Sequence, residues 1–131
     1  MAGTLTISTL SDGTNSTSST NCIQGSAKAW VSFSVSGGVC TRLSSYNVSS
    51  VTYNSTGNYT VNFTNALTDA NYSYAGSALT TGTGTAYFGT VCLNYNNPTK
   101  TTTAIRLYVW GNSNANTNLI TSTDVTFVAF R

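Results

Sequence analysis

Few side chains in this chain can take part in acid–base catalysis. Its 131 residues include no histidine, and the acidic side chains are three aspartates, Asp12, Asp69 and Asp124. A Ser-His-Asp triad or a Cys-His pair therefore cannot form within one chain. A glycosidase needs two carboxylates set about 5 to 9 Å apart, and we expect Asp69 to bond the backbone of its own turn through Asn71 instead. The sequence predicts that this chain is not an enzyme.

The three cysteines match neither a metal-binding nor a disulfide pattern. Cys22, Cys40 and Cys92 are odd in number and far apart, whereas zinc ligands come in closely spaced pairs. We expect reduced thiols that serve as small buried apolar side chains. The glycines between residues 76 and 89 are followed by no lysine at the spacing of a phosphate-binding loop. The sequence thus predicts no metal and no cofactor.

Aromatic side chains near polar segments offer a different chemistry, the stacking of a ring on a sugar. Trp110 and Tyr108 alternate onto one face of a predicted strand, and Asn112 and Asn114 follow them. A large apolar ring flanked by amide donors suits a neutral polysaccharide. The alternative is that both rings pack in a subunit interface or against a neighbouring strand. These four residues are the candidate glycan or host contacts.

A second aromatic set lies inside the predicted strands. Core or interface packing is favoured over sugar binding here, because these residues fall in the stretches with a strong strand pattern. Several predicted strands carry apolar residues on both faces, more than one 131-residue domain has room to bury. We therefore expect an oligomer. The candidate subunit-interface residues are Trp30, Tyr72, Tyr74 and Phe130.

Charge is scarce in this chain. Only 6% of the residues are charged, the net charge is +2, and the five basic residues are scattered without forming a patch, so nucleic-acid binding has little support. Ser, Thr and Asn supply the polarity, with 58 residues. Such a surface suits packing against identical copies or hydrogen bonding to sugars. The first residues contain no basic segment and no long apolar run, so we expect neither a signal peptide nor a membrane span.

The elements that position these side chains are short β-strands. In residues 28–35, Val31, Phe33 and Val35 alternate with polar or outward-facing residues, and we expect these three in the core. The last strand, residues 124–131, alternates in the same way, and Gly- or Asn-rich turns separate such runs. No window shows helical spacing. About eight strands of this kind predict an all-β fold, an antiparallel β-sandwich or jelly roll.

Two parts of the chain follow from this pattern. Residues 27–131 hold the long strand signals and are expected to form one β-sandwich domain. Residues 1–26 are an N-terminal arm, in which residues 11–21 contain no apolar side chain and are expected to be a flexible linker. Residues 111–118 contain no large apolar residue and are expected to be an exposed polar loop. An arm on a linker suits a protein that attaches to something larger.

The chain also shows an ordered series of short motifs, each a predicted strand or turn. In sequence they are Ala29-Trp-Val-Ser-Phe, Gly37-Gly38, Arg42, Tyr46-Asn-Val-Ser-Ser-Val, Gly57-Asn-Tyr-Thr-Val-Asn-Phe-Thr and Asp69-Ala-Asn-Tyr. This order resembles the C-terminal β-rich domain of bacteriophage tail fibres and other virion surface proteins. The resemblance covers roughly residues 27–131, and its motifs are structural and not catalytic.

Without a predicted signal peptide, we expect the chain to be made in the host cytoplasm. The resemblance implies a homotrimer on the surface of a virion. It further implies attachment to other virion proteins through residues 1–26 and contact with a receptor or polysaccharide of the host cell. Fibres of this family carry long repetitive shafts before the domain, whereas residues 1–26 alone precede it here. Two alternatives stay open: a capsid decoration or head-fibre protein with no receptor role, and a monomeric, free carbohydrate-binding module.

Overall fold

The computed structural model describes residues 3–79, 88–93, 99–113, 116–120 and 122–131. Within these ranges the chain forms eleven β-strands and one short α-helix, so the all-β prediction is confirmed. In chain order the elements are β1 (Thr9–Ser11), β2 (Ser16–Ser18), α1 (Ser19–Gly25), β3 (Ala27–Ser36), β4 (Val39–Tyr46), β5 (Val48–Ser55), β6 (Asn58–Phe63), β7 (Ser73–Leu79), β8 (Phe88–Cys92), β9 (Ala104–Ser113), β10 (Asn116–Leu119) and β11 (Asp124–Phe130).

Nine of the described strands form one antiparallel sheet. Its order is β4-β3-β11-β7-β8-β9-β6-β5, and β10 pairs with β9 on the same edge as β6. The other two described strands, β1 and β2, form a separate hairpin. Several neighbours in the sheet are distant in sequence, since β11 lies between β3 and β7. The sheet therefore brings the end of the chain against both early and middle segments.

One face of the sheet forms the hydrophobic core. Val31, Phe33 and Val35 of β3 are buried, which confirms the prediction made from their alternation. The rings of Phe33 and Tyr59 meet edge to face with their centroids 5.4 Å apart, and so join β3 to β6. Burial of each large apolar side chain of this kind contributes roughly 1.5 to 3 kcal/mol. Further core residues come from the inner faces of β6, β9 and β11.

The two end strands of the order, β4 and β5, nearly close the sheet on itself. They are joined by Asn47, whose φ of 54° lies in the left-handed region. The Asn47 side-chain amide donates to the carbonyl oxygens of Lys28 and Asn65 at 3.0 and 3.1 Å, and its Oδ1 accepts from the Asn65 amide at 2.8 Å. Arg42 Nη1 also donates to the carbonyl oxygen of Ser49 at 2.7 Å. Polar bonds at this corner therefore hold β4 beside β5.

The segment predicted to be a polar loop, residues 111–118, contains strand instead. β9 runs into this segment, and β10 pairs with it so that Leu119 lies opposite Trp110. Earlier along β9 the same edge is occupied by β6, whose first residue, Asn58, lies opposite Tyr108. The hairpin of β9 and β10 was hidden in the sequence because its residues are nearly all polar and show no apolar alternation.

The arm also differs from the sequence prediction. Residues 11–21, expected to be a flexible linker, carry the end of β1, all of β2 and the start of α1. Asp12 Oδ1 accepts from the Asn15 amide at 2.7 Å, and Ser18 Oγ caps α1 by accepting from the Asn21 amide at 3.1 Å. These short polar side chains satisfy the backbone without apolar burial. No helix in the described part of the chain is long and apolar enough to cross a membrane, and α1 itself has seven residues.

Candidate functional site

Trp110 and Tyr108 share a face of β9, as their alternation predicts, but differ in exposure. Trp110 lies opposite Thr90 of β8 and is 38% exposed, whereas Tyr108 is 5% exposed. The guanidinium carbon of Arg106 lies 5.8 Å from the Tyr108 ring centre, and the Tyr108 hydroxyl accepts from Asn58 Nδ2 at 3.4 Å. The Tyr108 ring is therefore covered within its own chain and has no face to offer a sugar.

The two asparagines of this candidate set contribute no described side chain. Asn112 is a backbone position of β9 opposite Thr117. Asn114 lies outside the described residues. Of the four candidate glycan contacts, Trp110 is the one whose exposed ring the structure describes.

The candidate interface residues differ in exposure in the same way. Trp30 and Phe130 are 37% and 38% exposed. Tyr74 is half-buried, because its ring stacks on Phe127 with the centroids 6.4 Å apart and its hydroxyl accepts from the Leu93 amide at 3.2 Å. Trp30 and Phe130 therefore keep substantial exposed surface, whereas Tyr74 packs mostly against its own chain.

Tyr72 belongs to the core of the single chain and not to its surface. Its hydroxyl donates to the carbonyl oxygen of Thr101 at 3.2 Å. Lys100 Nζ lies 4.9 Å from the centre of the ring and donates to the Tyr72 carbonyl oxygen at 2.9 Å. Burial raises the pKa of Tyr72 to about 12. These contacts within the chain cover the ring, so Tyr72 is not available for the subunit interface expected for it.

Trp30 lies in a row of outward-facing residues that crosses four strands. The antiparallel register places Tyr46 of β4, Trp30 of β3, Val128 of β11 and Ala75 of β7 side by side. Residues directly opposite each other point to the same face, with Cβ atoms about 4.5 to 5.5 Å apart. Two exposed aromatic side chains, Tyr46 and Trp30, are thus followed by two smaller apolar ones.

A shallow groove of about 330 Å³ lies beside this row, between β7 and β11. Ser77 and Thr126 are cross-strand partners in it, both are exposed, and their hydroxyl oxygens lie 2.9 Å apart. The sequence alone does not indicate these two residues, because alternation along a strand cannot reveal that β7 pairs with β11. The β7–β11 groove is lined by Ala75, Gly76, Ser77, Thr126, Phe127 and Val128.

β4 exposes large apolar side chains at one end of the sheet. Val39 and Leu43 are 63% and 60% exposed, and Tyr46 is also exposed. Leu43 is the extra residue of a β-bulge in β4 against β3. Bulges are common on end strands, where they discourage further pairing, but these apolar side chains remain in contact with solvent. We call Val39, Leu43 and Tyr46 the β4 apolar strip.

Asp69 forms an ion pair with Arg131 at the surface. Asp69 Oδ1 accepts from Arg131 Nε at 3.0 Å and from the Asn71 amide at 2.7 Å, which confirms the turn predicted for Asp69. The hydrogen bond from Arg131 lowers the pKa of the Asp69 carboxyl, and the Asn71 amide lowers it further. In the ranges that the structure describes, no group of three His, Cys, Asp or Glu side chains is placed to hold a metal ion.

All three cysteines are free thiols. Cys22 is exposed on α1, unlike the buried role expected for it, whereas Cys40 and Cys92 are half-buried. Burial raises the pKa of Cys40 and of Cys92. These two side chains are therefore protonated thiols near neutral pH, the less reactive form.

The geometry thus offers two adjoining surfaces, the β4 apolar strip and the outer face around Trp30 and the β7–β11 groove, which meet where Tyr46 lies opposite Trp30. A scan against protein-family models found no match to this chain, and searches of curated proteins and of solved structures found no similar protein.

Proposed function

We propose that this chain is a small homotrimeric structural protein on the surface of a phage virion. The observation that carries the proposal is the β4 apolar strip, in which Val39, Leu43 and Tyr46 are all exposed. These three side chains lie along one end strand, and large apolar side chains left exposed on a soluble domain can mark sites of association. A closed ring of copies would cover the strip in every subunit, as cyclic assemblies do. The resemblance of the motif order to that of virion surface proteins is the reason for proposing a trimer as the form of that ring.

Within each copy, the finer form that we propose for the sheet is a jelly-roll-like β-sandwich. The strands at the two ends of the order, β4 and β5, are consecutive in the chain and meet at the Asn47 corner. A sheet whose ends meet in this way must bend over its own core. The inner face, with Phe33 and Tyr59 in contact, would then be shared by two opposed layers.

Attachment to other virion proteins is assigned to the arm, residues 1–26. Its apolar side chains Leu5, Leu10 and Ile23 are exposed. A helix and a hairpin held by local polar bonds can keep such side chains available for a larger partner surface. In this proposal the arm fixes the trimer to the particle, and the outer face of the β-domain meets the host cell.

The proposal is tested by asking whether the protein is present on the surface of intact phage particles whose genome encodes it. An antibody raised against the purified chain is labelled with gold and applied to intact virions. Surface labelling is the expected result, and a protein found in lysates but never on washed particles contradicts the virion assignment. Adsorption of the purified protein to host cells, with competition against infection, separates the host-contact role from a capsid decoration role.

A further inference from the structure

The outer face around the β7–β11 groove consists of two rows of outward-facing residues that differ in polarity. Its register is fixed by hydrogen-bonded pairing, which places Trp30, Val128 and Ala75 in one row. The next row, two residues along each strand, contains Ser32, Thr126, Ser77 and Thr90. One row is therefore aromatic and aliphatic, and the other is a line of hydroxyls that ends beside Trp110, the partner of Thr90.

The groove exists because β7 is built from small residues. Ala75 and Ser77 point outward and are exposed, and Gly76 between them carries no side chain. A Cβ on Gly76 would lie 2.5 Å from the Thr126 carbonyl oxygen of β11 and 3.1 Å from the Val91 Cβ of β8, so no side chain fits there between the two neighbouring strands. β7 lies between β11 and β8, and beside the bulkier Thr126 and Val128 of β11 it forms the floor of a depression. Its volume of about 330 Å³ falls in the range of small-ligand sites.

The hydroxyls of this face retain capacity for a ligand. Ser77 Oγ and Thr126 Oγ1 are 2.9 Å apart and share one hydrogen bond. Thr126 Oγ1 can also donate to the Ser77 carbonyl oxygen at 3.4 Å. Each hydroxyl oxygen has two acceptor lone pairs, so the pair presents acceptor sites to the groove. All six residues that line the groove are uncharged. A charged ligand would find no counter-charge there, whereas a neutral hydroxyl-bearing polymer matches the face in charge and in hydrogen bonding.

We propose that the outer face of β3, β11 and β7 binds a neutral glycan chain. Trp30 stacks on the apolar face of one sugar ring, as aromatic rings do with surfaces that combine C–H groups and polar edges. The Ser77 and Thr126 hydroxyls bond the sugar hydroxyls in the groove beside it. That the glycan comes from the host cell surface rests on the proposed function. That a glycan binds here rests only on the side chains of this face.

The test uses the full chain and three soluble probes: the hexamers of β-1,4-linked glucose, α-1,4-linked glucose and β-1,4-linked N-acetylglucosamine. Binding is followed by isothermal titration calorimetry. At least one hexamer is expected to bind, and Trp30→Ala is expected to weaken it about tenfold or more. Trp30→Phe keeps an aromatic ring and should retain part of the affinity. Ser77→Ala combined with Thr126→Val should weaken binding with Trp30 intact.

Ile23→Ala is the control. Ile23 is an exposed apolar residue of α1, outside the nine-stranded sheet, and it does not line the groove. The affinity of this variant should stay within about twofold of the parent chain. Failure of all three hexamers to bind overturns the inference, as does a loss of affinity in Ile23→Ala equal to that in Trp30→Ala.

The solution mass of every variant is measured beside the titrations. If Trp30→Ala dissociates the assembly, Trp30 is an interface residue and the glycan inference is overturned, while the proposed trimer is supported. If the protein binds a hexamer through Trp30 but is monomeric, the inference stands and the trimer fails. The two proposals therefore fail in distinguishable ways.

Discussion

The guanidinium of Arg42 donates from Nη1 to the carbonyl oxygen of Ser49 at 2.7 Å, and the same nitrogen bonds the carbonyl oxygen of Val48. Arg42 belongs to β4 and both acceptors belong to β5. One side chain thus bridges the two ends of a nine-stranded sheet at the point where the described strands come closest to closing.

Replacement of Arg42 by Met should loosen this closure. Hydrogen bonds from a charged donor contribute more than neutral ones, but partial exposure reduces the gain, so we expect a loss of about 1 kcal/mol in unfolding free energy. Urea denaturation measures it. Lys28→Met is the control, because it removes an equal charge from a residue whose Nζ bonds the Ile23 carbonyl in the arm. Equal losses in the two variants would contradict the bridging role.

Gly57 makes the turn between β5 and β6 with a φ of +63°, and a Cβ there would lie 2.9 Å from the Val109 carbonyl oxygen. Gly57→Ala combines backbone strain with a clash against β9, so we expect a loss of about 3 kcal/mol. Gly37, at φ +56° with open space around it, is the matched control. Gly37→Ala should cost about 1 kcal/mol from strain alone. Thermal or urea unfolding measures the unfolding free energy of both variants. Similar losses in the two would show that the contact with the Val109 carbonyl oxygen adds no destabilisation.

Tyr72 should make the fold sensitive to alkaline pH. Its pKa is raised from 10.0 to about 12 by burial, so the native state holds this proton more tightly than the unfolded chain. That stability is present below pH 10 and is lost as the pH rises through about 12. Tyr72→Phe should flatten the fall in unfolding free energy over this range. It should also cost about 0.5 to 1.5 kcal/mol at neutral pH, because the bond to the Thr101 carbonyl is lost. An unchanged alkaline limb in the variant would contradict this assignment.

The strands with apolar alternation could be predicted from sequence, and their partners could not. Val31, Phe33 and Val35 were placed in the core because alternation along one strand needs only local information. The pairing of Thr126 with Ser77 depends on which distant strands meet, and nothing local encodes it. The groove therefore cannot be predicted from the sequence without the strand order.

Alternation also does not reveal that Tyr108 and Trp110 differ in solvent exposure. Both residues point outward from β9, as predicted, yet only Trp110 keeps a large exposed area. Tyr108 is covered by Arg106 and Asn58, a polar cover that hydropathy patterns do not detect. The hairpin of β1 and β2 was missed for a related reason, since its backbone is satisfied by the side chain of Asp12 and not by burial.

Asp69 should contribute to the acid sensitivity of the fold. Its carboxyl has a pKa lowered from 3.8, chiefly by the hydrogen bond from Arg131, so the native state holds this proton less tightly than the unfolded chain. The contribution is present above pH 3.8 and is lost as the pH falls through the lower folded-state pKa. Asp69→Asn should reduce the fall in unfolding free energy that accompanies a decrease in pH. Asp12, whose pKa is also lowered, should still contribute its own part of that fall. An unaltered acid limb in the variant would argue against the Arg131 contact in solution.

Association of copies through the β4 apolar strip is tested most directly by the solution mass of the purified protein, measured by light scattering after size exclusion. We expect a mass near three times 13.7 kDa for the parent chain. We also expect a shift to the single-chain mass for Leu43→Asn and an unchanged mass for Leu10→Asn, which replaces a comparably exposed leucine in the arm. A parent chain that is monomeric at high micromolar concentration would contradict this association.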